Sequence, residues 1–490
     1  CFVLHEIRCG FFTFCRMVNV LKDIIAIGPI TVVSVLSLVV LTIESLHDRT
    51  EVLNCWVSIL GLAFAIAVAL YSLTPAGGAF GGMVTTGGFA NYFAVVFCIA
   101  GILSVMLSKS YIRKEGIEHG EYYSLLLFAV VGMMLMAAAA DLIIFFLGLE
   151  LMSISFYVMA GFARQRLVSN EAALKYFLLG AFATGFLLYG IALLYGTTGT
   201  TNIGSITVRA ASLRTAPVFL IGLGLLLVGL AFKVAAVPFH MWVPDVYEGS
   251  PTTVAGFMST GGKAAAFSAF LLVLGPAIMH GIGPLREALA LIAALSMIVG
   301  NVLAIAQTSI KRMLAYSSIA HAGYILTGVV AANGYGQNGV LYYLLAYTVM
   351  NVGAFGVLSV LESKDGQNVN YEDYAGLSST QPLLAGLMAI FMFSLTGIPP
   401  FAGFFSKYYV FAGAVEAGYT WLAIVGVLMS AVSAYYYLRV VVLMYFKESA
   451  TVPETRLSTL GVAALVLSAI TILVLGIVPS AVLSVTVQFF

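Results

Sequence analysis

Apolar residues run through this chain in long stretches that repeat from one end to the other, separated by short polar interruptions. Most stretches approach the ~20 residues that a helix needs to cross a bilayer. About 14 such spans are predicted, near residues 24–43, 53–73, 89–108, 122–140, 142–162, 171–195, 217–237, 253–279, 288–307, 311–332, 338–361, 383–415, 418–446 and 459–487. The span at 383–415 is interrupted. Many of the short connections carry Gly, Pro or charge, as between Thr74 and Gly88 and between Glu362 and Asp373. No soluble domain fits between them, so the pattern predicts an all-α polytopic membrane protein.

Composition agrees. Of 490 residues, 61% are hydrophobic and 9% charged, against roughly 25% charged in an ordinary soluble domain. Mean hydropathy is +1.05. These values exclude a soluble globular protein, a disordered chain and a disulfide scaffold. A net charge of +1 gives no electrostatic case for nucleic acid. Cys55 and Cys98 lie in apolar runs and read as packing residues, and Cys1, Cys9 and Cys15 sit near the N-terminus. No CxxC, Cys/His cluster or haem-attachment pattern points to a metal or iron–sulfur site. No GxGxxG after a strand and no P-loop points to a nucleotide. Residues 1–16 read as an upstream extension, with Met17 as the better initiator. A cleaved signal peptide is the competing reading, but no small-residue cleavage site supports it.

Basic residues in the connections set an orientation. Odd-numbered connections hold Arg49, Lys109, Arg113, Lys114, Arg164, Arg166, Lys311, Arg312, Lys364, Lys447 and Arg456; even-numbered ones hold Arg209, Arg214 and Arg286. The asymmetry predicts cytoplasmic odd connections and both termini outside.

Several charges fall inside spans instead. Lys175 lies one turn into span 6, Lys233 in span 7, Lys263 in span 8 and Lys407 in span 12; Glu150 is in the middle of span 5 and His321 in span 10. A charge at the bilayer centre costs about 2.5–3.5 kcal/mol on insertion scales, so these groups need pairing or internal water. Structural explanations exist for some. Lys175 is near enough to an interface to snorkel, Asp141 at a span junction reads as a cap, and a lone His321 reads as a satisfied core histidine. Glu150 and Lys233 admit a structural ion pair but otherwise resist such an account. Burial disfavours the charged form of an ionisable group and a nearby opposite charge favours it. A lysine beside a movable carboxylate can therefore gain and lose a proton at modest cost, which a proton relay requires.

Two spans are also broken. Span 7 ends its apolar run at Val237-Pro238-Phe239, and span 12 contains Gly397-Ile-Pro-Pro-Phe401. Proline removes a helix hydrogen bond, and within a membrane such breaks survive only where protein or water satisfies the backbone. Span 7 is fourth in spans 4–8 and span 12 is fourth in spans 9–13. That register predicts two five-span repeats, 122–280 and 281–446, the second inverted because five is odd. Residues 17–121 supply spans 1–3, and 447–490 supply span 14.

Four stretches then bring a family into view: Phe146-Leu-Gly-Leu-Glu150-Leu; Ala231-Phe-Lys233-Val-Ala-Ala-Val-Pro-Phe-His240-Met-Trp-Val-Pro-Asp245; Lys311-Arg-Met-Leu-Ala-Tyr-Ser-Ser-Ile-Ala-His321-Ala-Gly-Tyr; and Ser394-Leu-Thr-Gly-Ile-Pro-Pro-Phe-Ala-Gly-Phe-Phe-Ser-Lys407. Over residues 20–490 the chain resembles the antiporter-like subunits of respiratory complex I, the NADH–quinone oxidoreductase. The resemblance implies 14 transmembrane helices, two inverted five-helix repeats, and discontinuous helices 7 and 12. It implies a Glu150–Lys233 pair, Lys263 as central relay residue and Lys407 at the exit side. Lys175 and His321 match a helix-6 lysine and a helix-10 histidine, and complete the expected proton relay of Glu150, Lys175, Lys233, Lys263, His321 and Lys407. Lysine at the Lys407 place distinguishes the chain from subunit M, which carries glutamate there. No cofactor is expected on this chain; NAD, FMN, iron–sulfur clusters and quinone would belong to partner subunits. Expected partners are the antiporter-like subunits M and L, the small subunits A, J and K, and membrane lipid, in a bacterial inner membrane. The alternatives are a multisubunit cation/proton antiporter or membrane-bound hydrogenase module on the same fold, and a scaffold with vestigial charges.

Overall fold

The computed structural model describes residues 19–47, 50–73, 77–448 and 458–489; the segment 1–16 lies outside them. Helices α1 (Gly28–Leu46) and α2 (Glu51–Tyr71) lead through a short antiparallel hairpin, β1 (Gly77–Ala79) and β2 (Val84–Thr86), into α3 (Gly88–Glu115). Then come α4 (Glu121–Ala137), α5 (Leu142–Ala160), α6 (Leu167–Thr198), α7 (Ile203–Leu213), α8 (Pro217–Val234), α9 (Trp242–Gly249) and α10 (Thr252–Met279). The remainder is α11 (Gly283–Ile305), α12 (Ile310–Ala331), α13 (Gly334–Leu361), α14 (Pro382–Thr396), α15 (Ala402–Glu416), α16 (Thr420–Phe446), α17 (Thr459–Ile477) and α18 (Ser480–Thr486).

Among the described residues, 12 helices are long and apolar enough to cross a membrane. α4 has 17 residues and α14 and α15 have 15 each, so these fall short one by one. α7 was not expected: it is an 11-residue helix started by Asn202, whose side chain accepts from the Ser205 amide at 2.9 Å.

The helix ends follow local chemistry. Proline occupies the first turn of α1, α8, α11 and α14, where its missing N–H would have had no helical partner. Asp141 caps α5, accepting from the Ile143 amide at 2.8 Å, as its junction position suggested. Ser309 and Asn333 cap α12 and α13 in the same way.

Connections gather at two ends. At one, the Leu142 amide donates to Thr201 and the Ala140 amide to Met83, while Arg286 donates to the Val330 and Ala331 carbonyls and stacks on Tyr419. At the other, the Gly120 amide meets Glu44, Lys114 meets the Ser359 carbonyl, Ser309 meets Glu248, and the Tyr371 amide meets Thr308. The first set joins even-numbered connections and the second joins odd-numbered ones.

Several helix pairs approach closely through glycine, two of them α4/α5 and α11/α12. A β-carbon on Gly132 of α4 would lie 2.6 Å from the Gly148 carbonyl of α5. One on Gly300 of α11 would lie 2.5 Å from the Ala320 amide of α12. Apolar helices gain no hydrophobic drive in lipid, so small residues that admit close backbone packing hold them together.

The chain is non-helical between Val234 and Trp242, and again between Thr396 and Ala402. Both breaks begin on a left-handed residue, Ala235 (φ 62°) and Gly397 (φ 90°). Freed backbone groups are satisfied internally: Trp242 Nε1 donates to the Phe232 carbonyl at 3.0 Å, and the Val237 amide donates to Ser296 Oγ at 2.9 Å. At the second break, Lys407 Nζ donates to the Leu395 and Thr396 carbonyls at 3.2 and 2.8 Å.

Candidate functional site

Lys233, Lys263, His321 and Lys407 are all buried, with relative exposures of 6, 1, 1 and 5%. Among the described residues, no carboxylate stands within ion-pair distance of any of the three lysines. Each is held by neutral oxygens instead.

Lys233 ends α8, where the helix dipole favours a cation. Its Nζ donates to Ser153 Oγ at 2.7 Å and to the Tyr157 hydroxyl at 3.4 Å. The rings of Tyr157 and Tyr176 lie 5.5 and 6.0 Å from the ammonium, within cation–π range. Ser153 and Tyr157 lie three and seven residues after Glu150, on one face of α5. The expected Glu150–Lys233 contact is not formed. Lys233 is turned toward Ser153, and Glu150 Oε1 is buried without a hydrogen-bond partner. The serine, one turn along from the glutamate on the same helix, takes the ammonium's hydrogen bond instead.

Lys263 lies in α10 between two π-helical stretches, Met258–Gly262 and Phe270–Leu274, a distortion frequent at functional sites. Its Nζ donates to the Ser318 carbonyl at 2.5 Å and to Ser318 Oγ at 3.0 Å. Ser318 is one turn before His321 on α12. His321 Nδ1 lies 2.7 Å from the Tyr343 hydroxyl and its Nε2 3.1 Å from the Tyr437 hydroxyl, which also meets Ser317. His321 is indeed a satisfied buried histidine, and it is satisfied by groups that themselves carry protons.

Lys407 completes this side. Besides the two α14 carbonyls, its Nζ donates to Ser430 Oγ at 2.8 Å, and it lies 4.9 Å from the Tyr324 ring. Tyr324 contacts the His321 ring and is linked through Asn301 to Tyr436. A line of polar and aromatic side chains therefore runs from Lys263 through Ser318, His321 and Tyr324 to Lys407, joined by hydrogen bonds at Ser318 and by ring contacts between His321, Tyr324 and Lys407. α8 packs against the Lys263 segment of α10, bringing Lys233 to the other end of that line.

Lys175 stands apart. It is half-buried and pairs with Glu171 at 2.7 Å and Asp245 at 2.9 Å; Asp245 also holds Arg312 at 3.0 Å. Asp245 is partly buried, which would raise its pKa, but hydrogen bonds from Lys175 and Arg312 prevail and hold it below the usual carboxylate range. This cluster is at the end shared by the odd-numbered connections.

One expectation needs correcting. Lys311, counted among the loop charges, is buried in the first turn of α12, where it pairs with buried Glu362 at 3.6 Å. Sequence reasoning also missed Ser153, Tyr157, Ser318, Tyr324, Tyr343, Ser430 and Tyr437. A weak signal existed: Glu150/Ser153/Tyr157 and Ser317/His321/Tyr324 follow helical spacing within otherwise apolar spans.

The sequence profile of the family described as NADH:quinone oxidoreductase/Mrp antiporter, TM, matches residues 139–433. The chain belongs to that family. All six candidate residues fall in the matched stretch. Within the family, the chain is 49% identical to NADH-quinone oxidoreductase subunit N of Trichlorobacter lovleyi, covering 93% of this chain and 95% of the relative. It is also 49% identical to subunit N 1 of Chloroherpeton thalassium, covering 94% and 97%. A chain of the Thermus thermophilus respiratory complex I structure with bound aureothin superposes with a TM-score of 0.82 at 38% identity, covering 94% of this chain and 99% of that one. A chain of the Mrp complex from Dietzia sp. DQ12-45-1b reaches a TM-score of 0.84 at 20% identity, a likeness of fold alone.

Proposed function

We propose that protons cross this chain along a lateral line formed by Lys233, Lys263, His321 and Lys407, driven by quinone reduction elsewhere in the assembly. The chain is a proton-translocating membrane subunit of NADH–quinone oxidoreductase, of the subunit N type, in a bacterial inner membrane. The redox groups (NAD, FMN, iron–sulfur clusters and quinone) are assigned to partner subunits, and the neighbours in the membrane to subunits M, L, A, J and K.

The observation that carries the reading is that, among the described residues, no carboxylate stands within ion-pair distance of three buried lysines. A buried charge that loses its counter-ion strands the partner at a cost of several kcal/mol, roughly 3–5 when a pair is broken. Lys263, bound by one serine, strands no opposite charge when it gives up its proton. The arrangement suits a group that must be charged at one moment and neutral at the next.

We assign Glu150 a switching role: a redox-driven movement brings it toward Lys233 and away again, favouring first retention and then release of the lysine's proton. Moving one charge across the membrane costs about 2.3 kcal/mol per 100 mV, and a shift of one to two pKa units is worth about 1.4–2.7 kcal/mol, so modest motion is in scale. Lys175 then acts from the rim, tying α6 to α9. We further read α1–α17 as 14 membrane spans, with the α8/α9 and α14/α15 breaks as discontinuous helices 7 and 12 of two inverted repeats. The matched glycine contacts of α4/α5 and α11/α12 support that register.

The test is NADH-driven acidification of inverted membrane vesicles. Lys263→Ala with an assembled complex is expected to lose pumping. Pumping at the parental rate would remove Lys263 from the path.

A further inference from the structure

The pair of Lys311 and Glu362 is not used by the relay described above, yet it is as deeply buried as the lysine line. Both residues are 1% exposed. Their 3.6 Å separation exceeds a hydrogen bond, and among the described residues neither Glu362 carboxylate oxygen has a hydrogen-bond partner. A buried carboxylate ordinarily collects donors on its oxygens. This one keeps its lone pairs open, while Lys114 Nζ donates to the Glu362 backbone carbonyl rather than the side chain.

On one side the pair approaches solvent. Gly366 sits between Glu362 and Arg166: a β-carbon there would collide with the Arg166 guanidinium and lie 3.4 Å from Glu362 Oε1. Arg166 and Lys364 line a cavity of about 780 Å³, with Glu115, His119 and Glu121 on its other walls. On the other side the pair approaches the relay. Lys311 Nζ donates to the Ser250 carbonyl at 2.8 Å, just before α10 begins. Lys311 also stands two helical turns before Ser318 on the same face of α12, about 10 Å along the axis, and Ser318 holds Lys263.

We infer that Glu362 and Lys311 form the proton-uptake gate of this chain, joining the Arg166/Lys364 cavity to Lys263. The inference rests on the relay reading above. Glu362 takes a proton from water in the cavity and becomes the neutral acid. The Lys311 ammonium passes its own proton through intervening water along this face of α12 to the vacant Lys263 amine beside Ser318, the water returning to its initial state. Glu362 then returns its proton to Lys311. One proton is taken up, one is delivered, and the carboxylate–ammonium pair is restored. The gate lies at the end of the odd-numbered connections, the cytoplasmic side by the basic-residue asymmetry.

The experiment uses the whole complex in inverted vesicles, following the initial rate of NADH-driven acidification and its solvent isotope effect in D2O. Glu362→Gln with normal assembly is expected to slow pumping about tenfold, the factor of one pKa unit at a single transfer. Glu362→Asp keeps the charge but withdraws it, and is expected to give an intermediate rate with a raised isotope effect. Exchanging the two residues, Lys311→Glu with Glu362→Lys, rebuilds an ion pair but presents the ammonium to the cavity, and is expected to leave pumping slow. Full pumping in the exchanged variant would make the pair structural and overturn the gate. An unchanged rate and isotope effect in Glu362→Asp would do the same, and that variant decides if the glutamine form fails to assemble. Lys263→Ala is run alongside. If it still pumps, the relay itself fails; if it stops while Glu362 variants pump normally, only the gate fails.

Discussion

The two kinds of basic residue in this membrane protein are held in opposite ways. At the end of the odd-numbered connections, Lys175, Arg166 and Arg312 each face a carboxylate. In the interior, Lys233, Lys263 and Lys407 face serine hydroxyls, backbone carbonyls and aromatic rings. An ion pair favours the charged form of both members, because neutralising one leaves the other without its partner. A cation held by neutral oxygens has no such anchor. The rim pairs therefore fasten helices, and in the proposed relay it is the interior lysines that change protonation state. Lys311 with Glu362 sits between the two classes, paired like the rim and buried like the line.

The sharpest way to break this comparison is to keep the interior charge but prevent its loss. Lys263→Arg retains a cation that does not deprotonate in proteins. If charge alone mattered, pumping would continue. The expectation is a loss of about a hundredfold, the lower range of a general acid–base contribution, measured as acidification of inverted vesicles with assembly checked on native gels. Next in size is Lys407→Met, which removes the cation and leaves the Thr396 and Leu395 carbonyls without their donor. It should slow pumping strongly, though by less than Lys263→Arg, and destabilise the α14–α15 break. Ser430→Ala removes one of three contacts to the same ammonium and should cost only a few-fold in rate, roughly the worth of one charged hydrogen bond at 1.5–3 kcal/mol less what water restores. Equal effects of the two substitutions would mean that the hydroxyl, not the lysine, carries the step.

A packing test separates helix fastening from proton chemistry. Gly300→Val on α11 would drive side-chain carbon into the Ala320 backbone, and overpacking of this kind costs about 1–3 kcal/mol. The thermal stability of the purified complex should fall, while the ratio of protons to electrons in the surviving fraction should hold.

The smallest effect is expected at the rim. Asp245→Asn removes the partner of Lys175 and Arg312, and pumping should not change. The Asp245 pKa is depressed in the fold, so its contribution is fully present above the ordinary aspartate value and is lost as pH falls through the lower folded value. Thermal melts of parent and Asp245→Asn should therefore differ near neutrality and converge under strong acid. Loss of pumping in Asp245→Asn would move Lys175 from the rim into the relay.

The many apolar membrane helices, the buried Lys233, Lys263, His321 and Lys407, and the non-helical stretches at Pro238 and Pro399-Pro400 were legible in the sequence alone. Each depends on a local quantity: about 20 apolar residues in a row, a charge within such a run, a proline where a helix should continue. What those charges touch was not legible. Ser318 meets Lys263 from a different helix, as Ser430 meets Lys407 and Tyr437 meets His321, and nothing local distinguishes these hydroxyls from the many others in a chain with 25 tyrosines. The same reason hid the burial of Lys311, which by sequence begins a helix like any rim cation and is enclosed only because Glu362 returns to it. Transfer free energy, summed along the chain, determined where the helices lie and which charges had to be sheltered. The packing of distant helices decided what shelters them: a carboxylate for Lys175, Arg312 and Lys311, and neutral oxygens for Lys233, Lys263 and Lys407.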